Sequence, residues 1–231
     1  LKDVVYNDFH IGKNANVIIL AGCGVHNDEH KDTEHDGIHR FFLEENAKVK
    51  YIEKHYGEGK GSGKKILNPV TEITMKKGSS MTMDTTQIKG VDDTLRETRG
   101  VLEENTTLVI NEKILTNETQ NAKTIFEIEL NGDNASTHVT SRSVATDESY
   151  QEFISNITGN SKCYAHVECD AILKEKGRVK AVPEIYAKNV EANLIHEAAI
   201  GKIAGEQLVK LMSLGLSEKD AEDVIIKGFL K

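Results

Sequence analysis

The chain is predicted to be mainly β, a solenoid of stacked strand-bearing coils followed by a short helical tail. Three observations carry that prediction. FFLEENAKVKYIEKHY, TEITMKKGSSMTMDTTQI, GVLEENTTLVINEKIL, KTIFEIELNGDNASTHVTSRSV and GNSKCYAHVECDAIL all place apolar residues at every second position, the period of a strand with one buried face. The breaks Glu45-Asn46-Ala47, Gly78-Ser79-Ser80, Glu104-Asn105-Thr106, Asp133-Asn134-Ala135 and Gly159-Asn160-Ser161 pair a turn former with a small residue. They recur every 25 to 35 residues or so, the range of stacked repeats. Proline occurs only at Pro69 and Pro183, as a chain of ladder-bonded strands requires. A β-sandwich is the competing architecture; small corner residues and Asn, which tolerates a left-handed backbone, favour coils stacked closely on one another.

Taken in order, Val4 to Leu20 is mixed, with a run Val17-Ile18-Ile19-Leu20 that suits a buried strand. Gly22 to Arg40 is polar and holds His26, His30, His35 and His39 among Asp and Glu. It reads as a solvated loop whose histidines hydrogen-bond along the solenoid. A metal site is the alternative, which Cys23 could join, but the spacings need a helix or folded loop to converge and Gly37 breaks a helix. GEGKGSGKK, Gly57 to Lys65, reads as a flexible turn; it lacks the phosphate-loop spacing because Lys64 is followed by Lys65. From Glu197 the period changes: Ile200, Ile203, Leu208, Leu211 and Met212 fall near one helical face. Gly215 then suits a C-terminal cap and Ser217 an N-cap for a second helix. The expected division is a β core over 1–196 and a helical segment over 197–231, the helices capping the solenoid's open end.

Composition bounds the function. A formal net charge of −8 argues against nucleic acid or an anionic membrane as a partner. No apolar run is long enough to span a bilayer, and the N-terminal residues lack a signal-peptide pattern. Three cysteines do not make a disulfide framework, so a reducing cytoplasmic setting is expected. The chain starts at Leu1 rather than Met, as a processed or truncated piece of something longer would.

The chemistry-bearing stretch is Ser161 to Lys202. It holds Cys163, His166, Glu168 and Cys169, then His196-Glu197 where strands give way to the tail. Cys, His and Glu are a ligand set for iron, zinc or sulfur species. In one continuous strand Cys163 and Cys169 lie about 20 Å apart, too far to share a metal, and either can be a small core hydrophobe. His196 and Glu197 face opposite sides of a strand or adjacent angles of a helix.

The runs CDAIL at Cys169 to Leu173, AVPEI at Ala181 to Ile185, HEAAIGKI from His196 and GLSEKDAEDVIIKGF from Gly215 resemble, in that order, the SufB/SufD family. So does GIHRFFLEENAKVKYIEKHYGEG, Gly37 to Gly59. These are scaffold proteins of the Suf iron–sulfur cluster assembly machinery. The resemblance implies a right-handed parallel β-helix and a scaffold rather than an enzyme. By position it implies that Cys169, His196 and Glu197 handle a transient cluster, SufB-like because all three are present. It also implies a SufC-like ABC ATPase docked on the tail, pairing as a homodimer or with a SufB/SufD-type paralogue, and acceptor apoproteins. The family's longer members carry an N-terminal helical region, some with extra cysteines, that these residues do not show. Two rivals remain: a β-helix enzyme acting on carbohydrate, for which aromatics are scarce at 5%, and a purely structural solenoid.

Overall fold

The computed structural model describes residues 1–88 and 90–231. The chain runs through β1 (Lys2–Ile11), β2 (Asn16–His26), β3 (Thr33–Leu43), β4 (Lys48–Glu58), β5 (Lys65–Leu67), β6 (Val70–Met75), β7 (Ser80–Ile88) and β8 (Asp93–Leu102). It continues through β9 (Thr107–Thr116), β10 (Asn121–Leu130), β11 (Ser136–Ala145), β12 (Tyr150–Gly159), β13 (Tyr164–Leu173), β14 (Arg178–Ala187) and β15 (Asn193–Gly201). Two helices follow, α1 (Gly205–Ser213) and α2 (Glu218–Phe229). One sheet has the order β1-β3-β5-β8-β10-β12-β14, with β6 between β3 and β8. The other runs β15-β13-β11-β9-β7-β4-β2. Every pairing is parallel, so the chain alternates between two facing sheets as a solenoid.

The coil length is fixed by cross-coil contacts. Early coils match residues 32 apart, as in Lys13–Glu45 and Asn46–Asn14. Later ones match residues 28 or 29 apart, as in Lys180–Glu152 and Asn134–Asn105. At the corner leading into the second sheet Asn14, Asn46, Asn105 and Asn134 hold φ between 56 and 59°, the left-handed backbone expected there. Gly78 takes the same place with φ +73°, and a Cβ on it would lie 2.3 Å from the Asn46 Oδ1. The small residues that follow, Ala47, Ser79, Thr106 and Ala135, are fully buried. Gly159-Asn160-Ser161 differs: none of the three has positive φ, and the buried corner residue is Cys163. At the opposite corner Glu118, Asp147 and Glu175 take positive φ, which composition did not announce. The glycine run also has a use. The loop after β4 stacks backbone-on-backbone over the loop after β2, and a Cβ at Gly61 or Gly63 would lie 2.3 or 2.2 Å from a carbonyl oxygen.

Inside, the cross-section divides in two. Toward the asparagine corner the core is apolar, built from Phe41, Leu43, Tyr51, Met75, Leu102, Leu108, Ile110 and Ile128. Toward the other corner inward positions carry Glu53, His55, Gln87, Arg96, Glu112, Ser141 and Ser143, all buried.

Four expectations are corrected. Of Val17 to Leu20 only alternate residues face inward; Ile18 and Leu20 lie 69% and 75% exposed because β2 is the sheet edge. Gly22 to Arg40 is not one loop: β2 runs to His26 and β3 starts at Thr33. β15 carries its ladder with β13 to Gly201, past the boundary at 196, so Glu197 and Ile200 are strand residues. The helical pair does not close the end. Lys113 on β9 and Arg142 on β11 bond the Lys231 and Phe229 carbonyls, and Lys174, just past β13, pairs with Glu222 at 2.8 Å. The helices therefore lie on the outer face of the second sheet, and β14 and β15 keep a free edge. Pro183 sits in the edge strand β14, where a missing donor costs least.

Candidate functional site

Cys169 lies on the inner face of β13, 1% exposed, beside Ser141 on β11 and Ala198 on β15. Burial pushes its thiol up to about 12, helped by the charges of Glu112 and Asp170. In the closed chain it is a protonated thiol rather than a thiolate. His196 pairs in register with Val167 and shares that inner face. From strand spacing and rise its Cα stands about 8 Å from that of Cys169. Among the described residues, neither buried ring nitrogen of His196 has a hydrogen-bond partner. Burial lowers its pKa, so the imidazole is neutral and its lone pair available. Its ring faces Phe153 across the interior at 6.5 Å.

Glu197 is on the other side. It is outward-facing and exposed, beside Glu168 in register and 3.6 Å from His166 Nε2. Glu168 is raised by a hydrogen bond with Asp170, by burial and by the Asp170 charge. One sheet thus separates Cys169 and His196 from a carboxylate–imidazole cluster that contains Glu197. Cys163 sits apart at the corner, 5% exposed, in the apolar half of the core.

A buried charged network reaches toward Cys169, and sequence reasoning missed it. Arg96 Nε donates to Glu112 Oε1 at 3.0 Å, and its other nitrogens meet His55 Nδ1 (2.6 Å), Gln87 Oε1 (3.1 Å) and Thr85 Oγ1 (3.2 Å). Ser141 Oγ donates to Glu112 Oε2 at 2.9 Å and Thr124 Oγ1 to Oε1 at 3.3 Å. Ser141 is the cross-strand neighbour of Cys169. The signal was present: in LVINEKIL, Glu112 occupies the inward phase set by Leu108, Ile110 and Ile114.

The four histidines separate. His26, the last residue of β2, is exposed and pairs with Asp28, and His30, in the loop that follows, bonds Ser62 one coil on at 2.8 Å. His35 and His39 stand on one face of β3, flanking Gly37, where His35 meets Asp3 and His39 the Tyr51 hydroxyl. A groove of about 810 Å³ lies between the β13–β15 end and the helices, lined by Ile172, Ile200, Ile203, Ile225 and Phe229. No helix among the described residues is long and apolar enough to cross a membrane.

Residues 10–229 match the family model described as the SUF system FeS cluster assembly, SufBD core domain. Three archaeal relatives carry the name iron–sulfur cluster assembly SufBD family protein. The one from Methanocaldococcus jannaschii is 29% identical over 80% of this chain and 58% of its own length. The one from Pyrococcus horikoshii is 29% identical over 99% and 69%, and the one from Archaeoglobus fulgidus 27% over 100% and 61%. The chain thus spans roughly six to seven tenths of the length of these three relatives.

Proposed function

The chain belongs to the SufBD core family of iron–sulfur cluster assembly, and from that premise we propose that it is a scaffold, not an enzyme, on which a nascent cluster is built at a subunit interface. The observation that carries the reading is His196, a neutral imidazole with both nitrogens unpartnered, on the inner face shared with Cys169 at the free end of the solenoid. A thiolate can bind iron, and weaker N and O ligands keep the cargo transferable to acceptor apoproteins. Because Cys169 is buried and protonated, loading needs the last coil to move. Glu197, on the outer face, serves a cluster only in a second arrangement of β15 or across a dimer. The setting is a reducing cytoplasm. Anaerobic reconstitution with iron and sulfide tests the reading: sulfide-to-iron absorption on the purified chain is expected, and a colourless protein sinks it.

The unpaired edges of β14 and β15, with Ile185, Tyr186, Val190 and Ile200 exposed beside them, support a homodimer formed end to end, or pairing with a paralogue of the same fold. The stretch Cys163 to Ile172 offers no edge, because β13 is paired on both sides. Sedimentation at tens of micromolar should give twice the 25.6 kDa of the chain; a single monomeric species removes the homodimer.

A SufC-like ABC ATPase is the proposed partner of the tail. Phe229 is turned inward against Arg142, 6.0 Å from its ring, so the exposed apolar residues for docking are Val209, Met212, Leu214 and Val224. Replacing those four by serine should abolish ATPase capture in a pull-down while circular dichroism stays unchanged. Full capture by the variant places the contact elsewhere.

A further inference from the structure

We propose that the outer face of β2 and β4 is a docking surface for an acidic amphipathic helix of a partner protein. Side chains alternate across a strand, so Ile18, Leu20 and Gly22 of β2 share an outer face with Lys50, Ile52 and Lys54 of β4, each beside its neighbour in register. Ile18 and Leu20 are the large apolar residues left most open on this face, and Tyr56, further along β4, is 46% exposed. Scattered singly such residues mean little, but here they adjoin. Gly22 keeps the floor low: a Cβ there would meet only the Tyr56 ring, at 3.9 Å. That ring lies across Gly24, where a Cβ would fall 2.3 Å from it.

The charge on this face says what fits it. Lys2, Lys65, Lys113, Lys123 and Lys180, the strand lysines outside β4, each hold a carboxylate or carbonyl oxygen at 2.5–3.3 Å. The β4 lysines do not. Among the described residues Lys48 and Lys54 have no ion pair, and Lys50 reaches Asp84 only at 3.9 Å. All three are exposed. In a chain of net charge −8, three lysines without close carboxylates beside an apolar shelf call for acid from outside. A polyphosphate backbone would use the lysines and leave Ile18 and Leu20 in water, whereas an acidic helix with one apolar side uses both.

The same sheet already takes a helix of this kind. Further along its outer face α2, acidic in its first turn, buries Ala221 fully and sets Glu222 on Lys174 at 2.8 Å. Along β4, Lys50 and Lys54 stand about 7 and 20 Å from Lys48. Carboxylates at i, i+4 and i+11 share one side of a helix at about 6 and 16 Å, within reach of flexible lysines, so a helix of three to four turns laid along β4 meets all three. Its apolar side then covers Ile18, Leu20 and the bare backbone of Gly22. Five strand spacings separate β2 from β13, so this face lies about 24 Å from Cys169 and stands apart from the cluster chemistry.

A fluorescein-labelled synthetic helix of about 18 residues, leucines along one side and glutamates along its flank, is the probe. Anisotropy with the full chain should show saturable binding that weakens as salt is raised. Ile18→Ser with Leu20→Ser should lower the affinity at least about tenfold, and so should Lys50→Glu with Lys54→Glu. The lysine reversal should in turn favour a peptide carrying lysines in place of its glutamates. These four side chains are exposed, so circular dichroism of both variants should match wild type; if the serine variant does not fold, the lysine reversal decides. No binding, undiminished affinity in either folded variant, or equal binding of a single-stranded oligonucleotide of the same net charge overturns the proposal. So does sedimentation in which the serine variant turns a dimeric chain into a monomer, because a second copy is then the occupant.

Discussion

Arg96→Met should lower stability by about 3–5 kcal/mol, the usual cost of breaking a buried ion pair from one side. Arg96 is 5% exposed and Glu112 2%. Without the guanidinium, the Glu112 carboxylate keeps only the hydroxyls of Ser141 and Thr124. His55 Nδ1, Gln87 and Thr85 lose a donor as well. In a chain of this size the loss lowers Tm by about 10 °C or more. The companion variant, Arg96→Met with Glu112→Leu, should recover much of it, because removing both charges leaves no unpaired ion. Chemical denaturation of the two variants measures the coupling. A single variant within about 1 kcal/mol of wild type, or a double variant no better than the single, would show that the charges are solvated rather than paired.

That network marks where the sequence was and was not legible. Period-two alternation was enough for the strands, because each has one face turned inward and the other to solvent, as in β9 and β12. Asn46, Asn105 and Asn134 announced their corner because a left-handed backbone limits which residues fit. Glu118, Asp147 and Glu175 did not, since an acidic residue at positive φ carries no compositional mark. The polar half of the interior was hidden for a related reason. Alternation was read as apolar against polar, so a Glu or Arg in the inward phase passed as surface. The same habit hid the His35-x-Gly37-x-His39 face, because a polar stretch beside a true loop was taken as loop throughout. In the tail, Glu197 to Gly201 fits a helical face as well as a strand. What decided it was the ladder these residues form with β13, a tertiary fact.

The sequence named candidate residues but not the faces they occupy. Resemblance picked out Cys169, His196 and Glu197, and the strand register then divided them, two inside and one outside. The test is Cys169→Ala, which should reduce reconstituted cluster at least about tenfold while leaving the fold nearly intact. The side chain is buried among Val167, Ala171 and Ser141, so losing one sulfur costs on the order of 1 kcal/mol. Cys163→Ala is the matched control, removing a second buried sulfur, from the corner that precedes β13. It should reconstitute as wild type. Equal loss in both variants would mean that packing, not ligation, sets the yield. Wild-type yield in Cys169→Ala would leave His196 without its thiol partner and remove the inner face as the place of assembly. His196→Ala separates the remaining cases: on the proposed geometry it lowers cluster retention where Cys163→Ala does not, because a nitrogen ligand holds iron.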